Sequence, residues 1–167
     1  MENEFTANRV RDLLDYNPNT GAFTWKINRR GRRQKGMSAG CIHPNGYIRI
    51  SIDYRLYNAQ RLAWLFISGS WPEKFIDHID GNPSNNQASN LRQANSLQNG
   101  ANRKISSLNK SGFKGVSFVK STGKWGSWIK VAGKSKNLGS NFATAEEAHE
   151  VYKKASDQLH GLFANHG

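Results

Sequence analysis

Phe75-Ile76-Asp77-His78-Ile79-Asp80-Gly81-Asn82 orders the rest of the chain around itself. The apolar pair Phe75 and Ile76 predicts a strand entering a core, and the next two residues are a carboxylate and an imidazole expected to emerge exposed at its end. Asp80-Gly81-Asn82-Pro83 then concentrates turn-forming residues. A strand that delivers an acid and a base into a turn describes a site rather than a scaffold. Downstream, Asn90 introduces the short apolar Leu91, and Asn99 falls within a short helix expected from Ser96 to Lys104.

Upstream, Gly46-Tyr47-Ile48-Arg49-Ile50-Ser51-Ile52 alternates with period two, which puts Ile48, Ile50 and Ile52 on a buried face and Tyr47, Arg49 and Ser51 on the other. Asp53-Tyr54 turns the chain into a second short strand ending near Tyr57. An apolar helix follows over Ala59 to Ile67, closed by Ser68-Gly69-Ser70-Trp71-Pro72. Nearer the start, Thr6 can cap a helix with Val10, Leu13 and Leu14 on one face, which Asn17-Pro18-Asn19-Thr20-Gly21 ends. Ala22 to Ile27 reads as a strand. From Asn28 to Gly40 the chain carries Arg29, Arg30, Arg32, Arg33 and Lys35 among glycines, with no acidic residue between Asp15 and Asp53.

Beyond Asn102 a polar, basic run reads as a linker. Lys114 to Val119, Lys124 to Val131 and Lys134 to Leu138 then read as three strands joined by tight turns. Thr144, with Glu147 three positions later, has the pattern of a capping box. The helix that follows carries Ala148, Val151, Tyr152, Ala155, Leu159 and Phe163 on one stripe. One helix covers only one face of such a sheet. In the middle strand Trp125, Ser127, Ile129 and Val131 suit the helix, which leaves Trp128 between Lys124 and Lys130 on the open face. A cationic sheet with an aromatic anchor can lie in a major groove.

The formal net charge of +12 in 167 residues is self-repulsive, and a polyanion is the partner that compensates it. The basic residues sit among strands and turns, not on one amphipathic helix, which favours nucleic acid over a membrane. With 37% hydrophobic and 11% aromatic residues the chain is expected to fold. The single cysteine, Cys41, excludes disulfides within the chain and multi-cysteine zinc sites, and is expected to be buried. No apolar run is long enough for a signal peptide or a membrane span, so the expected location is the cytosol. No obligate protein partner is evident.

Gln60-Arg61-Leu62-Ala63-Trp64, Asp77-His78-Ile79-Asp80-Gly81-Asn82, Ser89-Asn90-Leu91-Arg92 and Gln98-Asn99 resemble, in that order, the HNH homing-type endonucleases with their ββα-metal motif. Gly112-Phe113-Lys114-Gly115-Val116, Leu138-Gly139 and Ala145-Glu146-Glu147-Ala148 resemble the APETALA/ethylene-response-factor DNA-binding domain. The combination is similar to small phage-encoded endonucleases. The implied fold class is α+β: a ββα-metal nuclease region plus a three-stranded antiparallel sheet packed on one C-terminal helix. The expected segments are 1–45 (helix and basic segment), 46–104 (nuclease core), 105–110 (linker) and 111–167 (DNA reader).

The resemblance implies that His78 is the general base, that Asp77 and Asn99 hold one divalent metal ion, and that Asn90 fixes the loop and orients the histidine. Mg²⁺ is the expected ion, with Mn²⁺ as an alternative, because oxygen donors suit hard cations. An imidazole has an ordinary pKa of about 6.5 and can accept a proton from water near neutrality. Double-stranded DNA is the expected substrate. Lys114, Lys124, Trp128, Lys130 and Lys136 are expected to dock it, with Arg29, Arg30, Arg32 and Arg33 gripping its backbone. Gln60 stands where relatives usually carry histidine, which makes a non-catalytic DNA-binding regulator the competing expectation.

Overall fold

The computed structural model describes residues 6–29 and 34–167 of the chain. Arg30, Arg32 and Arg33 lie outside the described residues. The protein is α+β and divides into two compact units, residues 1–93 and 94–167.

In the first unit Thr6 accepts a hydrogen bond from Arg9 N and starts α1 (Ala7–Leu13). The helix stops sooner than its apolar spacing suggests. Leu14 turns into β1 (Leu14–Tyr16), which pairs antiparallel with β2 (Phe23–Trp25) across the Asn17–Gly21 turn. Pairing with Trp25 and Phe23 satisfies backbone groups that another helical turn would have used, and it buries Leu14 and Tyr16.

β3 (Cys41–Ile42), β4 (Ile48–Ile52) and β5 (Arg55–Asn58) form an antiparallel sheet in that order. Asp53 and Tyr54 take φ of 46° and 63°, the paired left-handed geometry of a tight hairpin turn. Ile50 and Ile52 are fully buried, as the alternation predicts. Cys41, expected inside, is exposed on the outer strand β3, which pairs only with β4. α2 (Ala59–Ser68) lays Leu62, Ala63 and Leu65 into the same core, where each large apolar side chain contributes about 1.5–3 kcal/mol.

β6 (Phe75–His78) pairs with β7 (Leu91–Ala94), whose last residue begins the second unit. The pattern along β6 inverts the expectation: Phe75 is exposed, while Asp77 and His78 are each only 5% exposed. The polar pair can be buried because each has a partner in the folded unit.

The second unit begins with α3 (Ser96–Ala101), whose Asn95 and Gln98 form a reciprocal capping box. β8 (Val116–Val119), β9 (Lys124–Val131) and β10 (Lys134–Phe142) make an antiparallel sheet with β9 central. α4 (Ala145–His160) crosses it, burying Ala145, Ala148, Tyr152 and Ser156. Leu159, expected in the buried stripe, is instead 45% exposed; the buried positions of the helix run through Ala145, Ala148, Tyr152 and Ser156, a line that leaves Leu159 to one side. Thr144 accepts from Glu147 N, but Glu147 Oε2 accepts from Ala143 N, one residue before the cap. No helix among the described residues is long and apolar enough to cross a membrane.

Candidate functional site

β6 carries Asp77 and His78 to its end, and residues 80–90 fold back over them. Gly81 N donates to His78 O at 2.9 Å and Ile79 N to Asn90 O at 2.9 Å, which fixes the turn at both ends. Asp80 is the hub of the loop. Its Oδ1 accepts from Asn82 N at 2.8 Å and Asn90 Nδ2 at 3.0 Å, and its Oδ2 from Asn85 Nδ2 at 2.7 Å. Partial burial pushes the Asp80 carboxyl up, but these three donors and the nearby His78 outweigh it and hold the group below the usual carboxylate range.

Asn90 is buried and spends its amide on this loop: Oδ1 accepts from Asp80 N at 3.0 Å, and Nδ2 also donates to Asn85 O at 2.8 Å. The side chain that meets the imidazole is Asn86, fully buried, with Oδ1 3.0 Å from His78 Nε2. Asn86 is itself held from the other side of the unit. Tyr16 Oη donates to Asn86 O at 2.7 Å, and burial pushes that phenol up to about 12. Gly21, at φ +73°, lets the first hairpin turn approach so closely that a Cβ there would lie 2.4 Å from the Asn86 carbonyl carbon. Ala88 N donates to Pro18 O at 2.9 Å along the same seam. Tyr47, just before β4, places its ring 5.9 Å from that of His78.

Asp77 Oδ2 receives both Arg92 Nε at 2.9 Å and Arg92 Nη2 at 2.8 Å. This partner explains how a carboxylate survives at 5% exposure. Among the described residues, no three His, Cys, Asp or Glu side chains stand together as a metal-ligand group. Asn99 lies exposed on α3, in the second unit, and Gln60 is buried on α2 with Oε1 lacking a hydrogen-bond partner.

A sequence profile of HNH endonucleases matches residues 57–101. Protein 3.8 of Escherichia phage T7 is 37% identical over 103 residues, which make up 61% of this chain and 84% of that protein. The chain belongs to the HNH endonuclease family. The uncharacterized HNH endonuclease L560 of Acanthamoeba polyphaga mimivirus is also 37% identical over 103 residues, 60% of this chain but 51% of that protein. The solved structure titled "DNA binding and cleavage by the HNH homing endonuclease I-HmuI" overlays with a TM-score of 0.42 at 19% identity, covering 89% of this chain and 85% of that one. So loose an overlay supports no residue-by-residue transfer. The HNH endonuclease profile runs from β5 to α3 and contains Asp77, His78, Asn90 and Asn99, whereas β8 to α4 lie beyond it.

The expected docking residues of this HNH endonuclease family member divide by environment. On β9, Lys124 and Lys130 are exposed and share the alternating face with Trp128. The Trp128 indole lies across Gly126, where a Cβ would come within 2.1 Å of the ring. Lys136 is exposed but pairs with Ile129, which places it on the opposite face. Lys114 turns inward: its ammonium donates to Ala101 O at 2.9 Å, at the end of α3, and to Arg103 O, and burial pulls its pKa down to about 8. In the first unit Arg29 pairs with Asp53 at 2.7 Å and lies 5.3 Å over the Trp25 ring.

Sequence reasoning missed Tyr16, Gly21, Asn86 and Arg92 as builders of the site. Arg92 ends the Ser89-Asn90-Leu91-Arg92 motif, and the resemblance assigns it no role. Asn86 sits in a run of polar residues, Ser84 to Gln87, that reads as a solvated loop, and only its burial separates it from Asn85.

Proposed function

We propose that this chain is a sequence-directed endonuclease that hydrolyses phosphodiester bonds of double-stranded DNA, with His78 as general base. The observation that carries this is the hydrogen bond between His78 Nε2 and the buried Asn86. If Nε2 donates, the proton-accepting lone pair is on Nδ1, the arrangement a base needs to take a proton from water. Asn86 is itself held in place by Tyr16 and the first hairpin, so the imidazole ring is oriented before substrate arrives.

Asp77 is the carboxylate assigned to a divalent cation, for which oxygen chemistry suits Mg²⁺, with Mn²⁺ as an alternative. A single carboxylate that also pairs with an arginine would hold a hard ion only weakly. The Asn99 ligand expected from the resemblance stands on α3 of the second unit, and the proposal rests on Asp77. A cation bound there supplies charge neutralisation at the phosphate and the departing oxygen. Asn90 and Asp80 keep the loop closed over the imidazole. The open face of β9, with Lys124, Trp128 and Lys130, serves to dock the duplex and select the site.

The test is incubation of the intact chain with supercoiled plasmid and Mg²⁺. Conversion to nicked or linear forms by the parent, lost in His78→Ala, supports the proposal; equal cutting by both removes His78 as base. A DNA-binding regulator that does not cut is the alternative, favoured by the Asp77–Arg92 pair, which satisfies the would-be ligand from within. Binding without conversion would select it.

A further inference from the structure

A second site in the first unit, along β5 and the start of α2, has no place in the hydrolysis described above. A cavity of about 370 Å³ is lined by Arg49, Leu56, Tyr57, Asn58, Arg61 and Trp71. Arg49 on β4 and Asn58 at the end of β5 are direct cross-strand partners and share one face. Arg61, in the first turn of α2, lies with its guanidinium carbon 5.6 Å from the Trp71 ring centroid, and Trp71 is stacked on Tyr57 at 5.9 Å and 19°. The cation–π contact holds the Arg61 head in one place beside the cavity.

Three features point to an anion. Two guanidinium groups line the cavity and no carboxylate does. Arg49 Nε is buried without a hydrogen-bond partner, a donor whose desolvation is uncompensated in the free protein. Asn58 caps α2 without a side-chain hydrogen bond to the helix, so it does not neutralise the positive end of this ten-residue helix.

We infer that Arg49, Arg61 and the first turn of α2 form a phosphate-binding site that grips the DNA backbone beside the cleavage centre. This rests on the nuclease proposal, and it specifies where the first unit holds its substrate. The spacing fits. Tyr47, beside His78, and Arg49 are two residues apart in extended chain, about 7 Å. With the reach of the tyrosine and arginine side chains added, a phosphate held by Arg49 lies within about seven base steps, at 3.4 Å of rise each, of one facing His78. Forked guanidinium donors suit the phosphoryl oxyanion, and the aromatic pair supplies a flat wall for the adjoining sugar or base. The phosphate of a free nucleotide offers the same oxyanion, and the experiment separates the two sources.

The experiment measures binding, without cleavage, of the intact chain to a duplex by fluorescence anisotropy in EDTA over a range of salt. A second set of duplexes carries a neutral methylphosphonate at one backbone position at a time. The parent is expected to lose about tenfold in affinity at one position within about seven nucleotides of the cut. Arg49→Gln should bind the unmodified duplex about tenfold more weakly, lose nothing further at that position, and show a salt slope lower by about one. Arg49→Lys, which keeps the charge, should regain most of the affinity and so distinguish a lost contact from a misfolded variant.

The site is overturned if Arg49→Gln suffers the same methylphosphonate penalty as the parent at every position, or if its salt slope is unchanged. Thymidine 5′-monophosphate, titrated alone, should bind no tighter than the millimolar range. Micromolar binding lost in Arg49→Gln would assign the site to a free nucleotide and overturn the backbone assignment. A parent chain that binds no duplex at any salt would sink the nuclease proposal, whereas duplex binding indifferent to Arg49 would sink only this one.

Discussion

The two units use polar side chains in opposite ways. The first buries Asp77, His78, Asn86 and Asn90 and satisfies them from one another, from Arg92 and from the backbone. The second displays its charge: from its first residue, Ala94, to Ala145 the sequence has no Asp or Glu, and Lys124 and Lys130 stand exposed on the face of β9 opposite the helix. A buried network costs desolvation at every group and gives fixed geometry in return; a displayed charge costs little and gives long-range attraction without fixing an atom. The contrast fits a division of labour in which one unit positions chemistry and the other gathers substrate.

The sharpest way to break that contrast is His78→Ala. It should reduce plasmid cleavage by at least about 10²-fold while leaving the duplex dissociation constant within about twofold. An equal loss in both measurements would mean that His78 holds the duplex and is not a base. Next in size is Asn90→Ala, which removes three hydrogen bonds around Asp80 and strands a backbone N–H. It should cost the first unit about 2–4 kcal/mol, seen by amide hydrogen exchange, and leave exchange in β8 to β10 unchanged.

Acid and alkali should then act on different units. The folded Asp80 carboxyl titrates below its unfolded value, so its contribution is complete above about pH 4 and is lost as pH falls through the lowered folded value. Faster amide exchange over residues 80–90 in that window checks this. Lys114 has the reverse sign of behaviour. Its folded pKa of about 8 lies below the unfolded value, so the unfolded chain binds more protons between about pH 8 and 10.4, and this group makes the second unit more stable as pH rises through that window. Denaturant melts of the parent and Lys114→Met across that range provide the comparison; identical pH dependence would remove Lys114 as the cause.

The smallest expected effect is that of Lys130→Gln. It should lower the salt slope of duplex binding by about one and leave the rate of cutting at saturating enzyme unchanged. A change in that rate would give the second unit a part in chemistry and erase the contrast.

Much of the architecture was legible because it depends on local periodicity. Alternation picked out Ile50 and Ile52, the β9 faces and the helix behind them, and turn chemistry placed the hairpin at Asp53-Tyr54. Two of the failures share one cause. Leu14 continues the α1 apolar spacing yet pairs as a strand with Trp25, a residue eleven positions on. Phe75 looked like core and is exposed, while Asp77 looked exposed and is buried. For Leu14 and Asp77 a partner distant in sequence, Trp25 and Arg92, outweighed the local preference.

The sequence by itself determined the kinds of chemistry present: an acid, a base and amides in a fixed order, and a basic chain with a long acid-free run from Gly81 to Ala145. Those are properties of composition and short-range order, and they survive without coordinates. Only the tertiary structure decided that Asn86 meets His78, that Arg92 neutralises Asp77, and that Lys114 caps α3. Such assignments depend on which buried polar group lies within about 3 Å of which other. That distance is set by how strands and turns far apart in the chain pack together, and no periodicity records it.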